Sequence, residues 1–212
     1  MVAVLANYRT RKSHDALPWH CVKDAKSAIR FLRNNAEKYG IDPDRIVASG
    51  GSAGGHLAAA TATVTSYNEA QDNTKISAVP NALVLFNPVY DNGPNEWGHG
   101  KVKEYWQKIS PAHNIKKGIP PAIVFLGDND KLIPVPTAKR FQKSMQDVGS
   151  RSDLRVYEDK GHGFFNFGRG GNKMFLDTVK KTDAFLVDLK YLNGEENVDE
   201  FVANRAKQKK KT

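Results

Sequence analysis

The sequence predicts an α/β fold with a mainly parallel sheet of about five strands and helices on both faces. Three observations indicate this fold: short apolar runs recur along the chain, segments with helical spacing lie between them, and Gly, Asn or Pro residues follow many of them. Strands that alternate with helices form parallel sheets, because each helix carries the chain back across one face. A chain of 212 residues is long enough for one such domain with a sizeable core.

The predicted strands are runs rich in Val, Ile, Leu, Phe and Ala, at residues 2–6, 46–49, 82–86, 122–126 and 154–157. Apolar residues at helical spacing predict helices over 24–39, 56–64, 137–148 and 174–192. Gly40 and Gly149 follow two of these helices, at the position where a glycine commonly ends a helix. The domain is therefore expected over residues 1–192, with a polar basic tail over residues 193–212.

Composition excludes several classes of protein. The net charge of +9 favours a nucleic-acid partner at first sight, but the basic residues are dispersed, so no such partner is expected. No apolar run is long enough to span a membrane. One cysteine, Cys21, excludes an internal disulfide and a cysteine-cluster zinc site. The first residues lack the pattern of a signal peptide, which favours the cytoplasm unless the N-terminus was trimmed from a secreted protein.

A glycine-rich turn follows the second predicted strand. Its sequence, Gly50-Gly51-Ser52-Ala53-Gly54-Gly55, has the form G-x-S-x-G between a strand and a helix. This arrangement raises a serine hydroxyl above the sheet, and the N–H of Ala53 at the start of the helix can face a developing oxyanion. A phosphate-binding turn is the alternative, but neither G-x-G-x-x-G nor the P-loop pattern occurs. The pattern therefore favours Ser52 as a nucleophile.

Two further loops carry a candidate acid and a candidate base. Asp128 and Asp130 lie in the loop just after the fourth predicted strand, and His162 lies between two glycines just after the fifth. A turn that merely favours Asp and Asn, or a surface histidine, is the alternative for either loop alone. The three candidates together follow the order Ser, Asp, His, each at the carboxyl end of a strand, which favours a catalytic triad.

Several motifs carry a resemblance to a known family. They are Tyr8-Arg9, Asp42-Pro43-Asp44-Arg45-Ile46, the glycine-rich turn with His56-Leu57-Ala58 behind it, Ser110-Pro111, the Gly127–Pro134 segment and Gly161-His162-Gly163-Phe164. With them, residues 1–190 resemble the esterase and lipase branch of the α/β-hydrolases, which includes hormone-sensitive-lipase-like carboxylesterases and acetyl-xylan-esterase-like enzymes. The resemblance implies a serine ester hydrolase with Ser52 as nucleophile, His162 as base and Asp130 as acid. Asp128, in the same loop, is an alternative acid, and Asp91, after the third strand, is another, because some hydrolases of this fold place the acid there.

The chain departs from this family at its N-terminal side. It begins at what resembles the family's fourth strand, and no His-Gly-Gly-Gly loop, the usual source of a second oxyanion donor, precedes the nucleophile. We therefore expect residues 2–6 to pair directly with residues 46–49, because an open gap would leave backbone groups unpaired. That pairing would bring the N–H of Tyr8 to the oxyanion. A homodimer that covers the exposed edge is the alternative.

The absence of a cap implies an open, lidless cleft. Such a cleft suits short acyl esters and also bulky aromatic or polymeric esters, such as polyesters and acetylated polysaccharides. Aromatic and apolar side chains near the site can bind an acyl group or a sugar ring, although local packing is the alternative for them. The candidates are Tyr8, Trp97, Trp106, Ile133 and Phe164.

The histidines lack the spacing of a metal site, so we expect neither a catalytic metal nor a cofactor. Two other functions stay open on the sequence alone. One is a serine peptidase of the same fold, and the other is a shortened hydrolase-like module without catalytic activity.

Overall fold

The computed structural model describes residues 1–194 and 197–209, in two compact units that divide after His162. The first unit contains α1 (Arg11–His14), α2 (Pro18–Asn34), α3 (Ala36–Tyr39), β1 (Val47–Gly51), α4 (Ala53–Thr63), β2 (Ala82–Phe86), α5 (His99–Val102), α6 (Trp106–Ile109), a 3₁₀ helix (Pro111–His113), β3 (Ala122–Gly127), α7 (Val135–Asp147) and β4 (Ser152–Tyr157). The second contains a 3₁₀ helix (Gly170–Asn172), α8 (Lys173–Asp188) and α9 (Val198–Lys209).

The strands form a single parallel sheet, as the sequence predicts. Within the described residues it has four strands in the order β1-β2-β3-β4, so strands that follow one another in the chain lie side by side. Helix α4 connects β1 to β2, and α7 connects β3 to β4. Because all four strands run in the same direction, their carboxyl ends meet at one edge, where the loops after them can converge.

The predicted first strand is wrong. Residues 2–6 form no strand and pair with no part of the sheet, so β1 is an edge strand among the described residues. Val2 is 54% exposed and Leu5 is 99% exposed. The segment is held instead at its end, where Arg9 donates from its backbone N–H and its Nε to the carboxylate of Asp24 in α2, at 2.8 and 2.9 Å. An apolar run forms a strand only when it pairs with a partner strand, and among the described residues this run has none.

One face of the sheet carries the main hydrophobic core. Leu83 and Leu85 of β2 and Val124 and Leu126 of β3 alternate onto this face, where residues of α4 and α7 belong to the same buried cluster. In this cluster the ring of Tyr90 stacks on that of Phe141 in α7, with ring centroids 4.2 Å apart. The loop after β2 is thereby fixed against the core.

Helix α4 is anchored at its C-terminal end by a buried lysine. Lys26 of α2 is 3% exposed, and its Nζ donates to the carbonyl oxygens of Val64, Thr65 and Ser66 at 3.1, 3.2 and 2.7 Å. Burial lowers the pKa of Lys26 to about 8. These bonds satisfy the carbonyl of the C-cap residue Val64 and the two carbonyls after it, and so they hold the end of the helix that starts at the candidate nucleophile.

The predicted tail forms in part a helix, α9, whose sequence is mixed in charge. Residues 195, 196 and 210–212 of that tail lie outside the described residues. No helix in the described part of the chain is long and apolar enough to cross a membrane.

Candidate active site

The turn between β1 and α4 holds Ser52 in a strained backbone conformation. Its φ is 54° and its ψ is −116°, a backbone conformation that residues other than glycine rarely adopt. The strand ends at Gly51 and the helix begins at Ala53, so the serine occupies the apex of a strand–turn–helix corner. This is the geometry that G-x-S-x-G predicts for an exposed nucleophile.

Two glycines make this corner sterically feasible. A Cβ atom on Gly50 would lie 2.4 Å from the carbonyl carbon of Gly54, and one on Gly55 would lie 2.8 Å from the Cβ of Pro88. The neighbouring loop also fixes the turn, because Ser52 donates its N–H to the Phe86 carbonyl at 2.9 Å, and its own carbonyl accepts from the N–H of Val89 at 3.2 Å. Backbone strain at Ser52 is therefore sustained by contacts at the end of β2.

Asp130 and His162 form a hydrogen-bonded pair. The Nδ1 of His162 lies 2.8 Å from the Oδ2 of Asp130, whose side chain is completely buried. The other carboxylate oxygen, Oδ1, accepts from the N–H groups of Leu132 and Ile133 at 2.8 and 3.1 Å. These backbone donors fix the orientation of the carboxylate, which then holds the imidazole ring with a proton on Nδ1 and a lone pair on Nε2.

The alternative acids have other environments. Asp128 is exposed. Asp91 accepts from the N–H of Gly93 at 2.9 Å and lies 3.4 Å from the guanidinium of Arg140, which also binds Glu96. Of the three candidate carboxylates, Asp130 is the one that contacts His162.

Asn87 is a site residue that the sequence analysis missed. It follows β2 directly, and its Nδ2 lies 3.3 Å from the Nε2 of His162. Phe86, the residue before it, accepts the N–H of Ser52. Ser52 therefore contacts Phe86 and His162 contacts Asn87, two consecutive residues at the carboxyl end of β2. The position of Asn87 directly after β2, the strand beside the one that ends just before Ser52, was the available signal.

Four of the side chains predicted to bind substrate differ in exposure and in the residues they pack against. Trp97 is 37% exposed with the Nζ of Lys101 over its ring, and Trp106 packs edge-on against His113. Ile133 is 4% exposed because it belongs to the main core, and Phe164, in the second unit, packs edge-on against Phe165. Substrate contacts by these four side chains stay predictions.

The oxyanion donors also stay predictions. Ala53 is the first residue of α4, where backbone N–H groups have no intrahelical acceptor. The N–H of Tyr8 donates to the Oδ1 of Asn7 at 2.9 Å, and the strand pairing that was to bring it beside Ser52 is absent from the described residues. Tyr8 lines a groove of about 740 Å³ together with Val2, Val4, Phe31 and other residues of α2 and the N-terminal segment.

His56, four residues after Ser52, is a buried structural histidine. Its Nε2 lies 3.1 Å from the carbonyl oxygen of Ile109, and burial lowers its pKa to about 4. Its ring is thus neutral near pH 7 and ties α4 to α6. In the described part of the chain, no group of three or more His, Cys, Asp or Glu side chains is arranged to hold a metal ion.

We expect this histidine to make the protein less stable in mild acid. The unfolded imidazole binds a proton near pH 6.5, whereas the folded one resists protonation until about pH 4. The unfolded state therefore binds more protons between these values, and the free energy of unfolding falls by up to about 3 kcal/mol as the pH is lowered through this range. Urea titrations of wild type and His56→Gln at several pH values measure this loss, which should be clearly smaller in the variant. An equal loss in both proteins would contradict the prediction.

The corner at Ser52, on a parallel sheet with a His–Asp pair in the loops that follow later strands, defines an α/β-hydrolase. The structure superposes on the apo form of esterase 2 from Thermogutta terrifontis with a TM-score of 0.85 and 40% identity, covering 89% of this chain and 72% of that one. Other structures of the same esterase carry bound propionate or butyrate, or are phosphorylated by paraoxon. The chain belongs to the esterase branch of the α/β-hydrolase superfamily.

Sequence relatives agree with this assignment. The family model described as BD-FAE matches residues 1–92. An isoprenylcysteine alpha-carbonyl methylesterase of Arabidopsis thaliana is 28% identical over 66% of this chain, and an acetylxylan esterase of Xylanibacter ruminicola is 26% identical over 76% of it. The chain spans 38% and 34% of the lengths of these two relatives.

Proposed function

We propose that this protein hydrolyses carboxylic esters of short acyl groups through an acyl-enzyme on Ser52. The observation that carries the proposal is the hydrogen bond between His162 and the buried Asp130. Both residues lie in loops at the carboxyl ends of the parallel strands, as does Ser52 in its strained turn. Relatives named as esterases support the ester linkage. The propionate and butyrate bound by the Thermogutta esterase support a short acyl chain.

The proposed reaction has two halves. In the first, the Oγ of Ser52 attacks the ester carbonyl while the Nε2 of His162 takes its proton, and Asp130 stabilises the imidazolium. The carbonyl oxygen becomes an oxyanion, which the N–H of Ala53 at the start of α4 stabilises. The imidazolium then protonates the leaving alcohol. In the second half, His162 deprotonates a water that attacks the acyl-enzyme. The bond between the acyl carbon and the Oγ of Ser52 then breaks, the imidazolium returns its proton to Oγ, and the acid is released.

Stopped-flow hydrolysis of 4-nitrophenyl esters of increasing acyl length tests the proposal. We expect a burst of nitrophenol equal to the enzyme concentration, and the highest kcat/KM for acetate to butyrate. Paraoxon, which phosphorylates the Thermogutta esterase, should block the burst by phosphorylating Ser52. A peptide nitroanilide series is the matched comparison. Cleavage of anilides without ester turnover would favour a peptidase, and absence of both a burst and a phosphorylated serine would favour a non-catalytic module.

An aromatic polyester and an acetylated xylan extend the same assay to polymers. The open cleft inferred from the sequence predicts release of acid from at least one of them. Activity confined to soluble short esters would overturn the polymer part of the proposal and leave the short-ester part intact.

A further inference from the structure

Asn87 approaches the catalytic base at the atom that must take the serine proton. Its Nδ2 lies 3.3 Å from the Nε2 of His162, on the ring edge opposite the bond to Asp130. Because Nδ1 carries the proton that faces the carboxylate, Nε2 of the neutral ring is an acceptor, and an amide N–H is a suitable donor to it. The contact therefore selects one tautomer and one protonation state of the imidazole.

The backbone fixes the amide in this place. Asn87 is 1% exposed, its φ is 33°, and its N–H donates to the Phe125 carbonyl at 2.7 Å. Asparagine tolerates a positive φ better than most residues, so the residue type suits the conformation as well as the contact. Pro88 follows it and packs closely against Gly55 of α4. The backbone that carries this side chain is thus held between α4 and the end of β2.

We propose that Asn87 is a positioning residue that holds His162 as the neutral Nδ1–H tautomer, with the Nε2 lone pair presented at the carboxyl end of β2. This role rests on the proposed function. The bond exists only in the resting state, because a protonated Nε2 and an amide N–H are both donors and cannot pair. When Nε2 takes the serine proton, the contact with Nδ2 is released while the bond between Nδ1 and Asp130 is retained.

This role predicts a specific effect on pH dependence. Asp130 contacts the His162 ring with a negative charge, whereas the residues at the carboxyl ends of β1 and β2, Ser52 and Asn87, are uncharged. A donor at Nε2 can pair with the neutral ring and not with the imidazolium. We expect removal of this donor to favour the imidazolium, so that a higher pH is needed before the base is free to act.

Two variants separate this effect from a structural one. Asn87→Gly accepts the positive φ and removes the amide, whereas Asn87→Asp keeps the size of the side chain and replaces the donor by an anionic acceptor. We expect the acidic limb of the kcat/KM profile for a short nitrophenyl ester to move to higher pH, by about 0.5–1 unit in Asn87→Gly. The shift in Asn87→Asp should be larger, about 1–2 units, because a negative charge favours the imidazolium. An unmoved acidic limb in both variants, whatever the change in kcat, would overturn the proposal.

An NMR titration of the protein with ¹⁵N-labelled histidine measures the protonation of the two ring nitrogens directly, without ester turnover. In wild type, the His162 ring should show a protonated Nδ1 and an unprotonated Nε2 near neutral pH, and its titration should move upward in both variants. A dominant Nε2–H tautomer in wild type would also overturn the proposal. If no ester is hydrolysed but the titration shifts as expected, the proposed function fails and the role of Asn87 as a contact to the ring stands.

Discussion

Replacing Ser52 by alanine is expected to lower kcat/KM for a short nitrophenyl ester by about 10⁴- to 10⁶-fold, because the remaining groups can bind and polarise the ester but form no acyl-enzyme. The burst of nitrophenol and the paraoxon adduct should disappear together. The backbone at Ser52 has a positive φ, and alanine keeps the strain that serine bears there because both residues carry a Cβ. Ser52→Gly removes the same hydroxyl without this strain and should lose activity equally.

Ser49→Ala is the matched control for this substitution. Ser49 is an exposed serine in β1, three residues before Ser52. Its loss should leave kcat/KM within about 3-fold of wild type, in line with the small effects of surface substitutions. Melting temperatures of all three variants exclude unfolding as the cause. Retention of more than about 1% of the activity in both Ser52 variants would show that another group is the nucleophile.

The second large effect is expected for Asp130→Asn, a loss of about 10⁴-fold in kcat. The asparagine carbonyl can still accept the backbone N–H groups of Leu132 and Ile133. Its NH₂ group would then face Nδ1 of His162 and hold the proton on Nε2, where it prevents the ring from acting as a base. The geometry survives in this variant while the tautomer is reversed, so KM should change far less than kcat.

Asp128→Asn and Asp91→Asn are the matched controls, since each removes one of the other candidate carboxylates. Asp128 is exposed and should tolerate the change. Asp91→Asn weakens the contact with Arg140, with an expected loss of less than about 10-fold in kcat and a modest fall in melting temperature. A collapse of kcat in Asp91→Asn together with an active Asp130→Asn would assign the acid to the end of β2 instead.

Local sequence patterns predicted most of the sheet. The run at 82–86 forms β2 with the bounds expected, and the runs at 46–49, 122–126 and 154–157 form strands within two residues of their predicted ends. Their alternation with helices was sufficient, because buried parallel strands are continuous apolar runs that need a crossover between them. The helix predicted over 24–39 begins earlier, at Pro18, since proline is well suited to a first helical turn.

The run at 2–6 shows where this reasoning fails. Its apolar composition is that of a buried strand, but a strand also needs a neighbour with free backbone groups and an approach that the chain can make. In the structure, Arg9 at the end of the segment binds Asp24 of α2 and Glu69. No local pattern encodes these contacts, because they join residues about fifteen and sixty positions apart along the chain.

By itself, the sequence determined the chain order of Ser52, Asp130 and His162 and the strand ends at which they lie, since both follow from local turn chemistry and strand periodicity. The tertiary structure decided which of three carboxylates reaches the imidazole and which residue meets its other nitrogen. Those contacts depend on the order of neighbouring strands and on the orientation of buried side chains, and parallel pairing brings together loops that are far apart in the sequence. Asn87 therefore becomes a site residue only when β2 lies between β1 and β3.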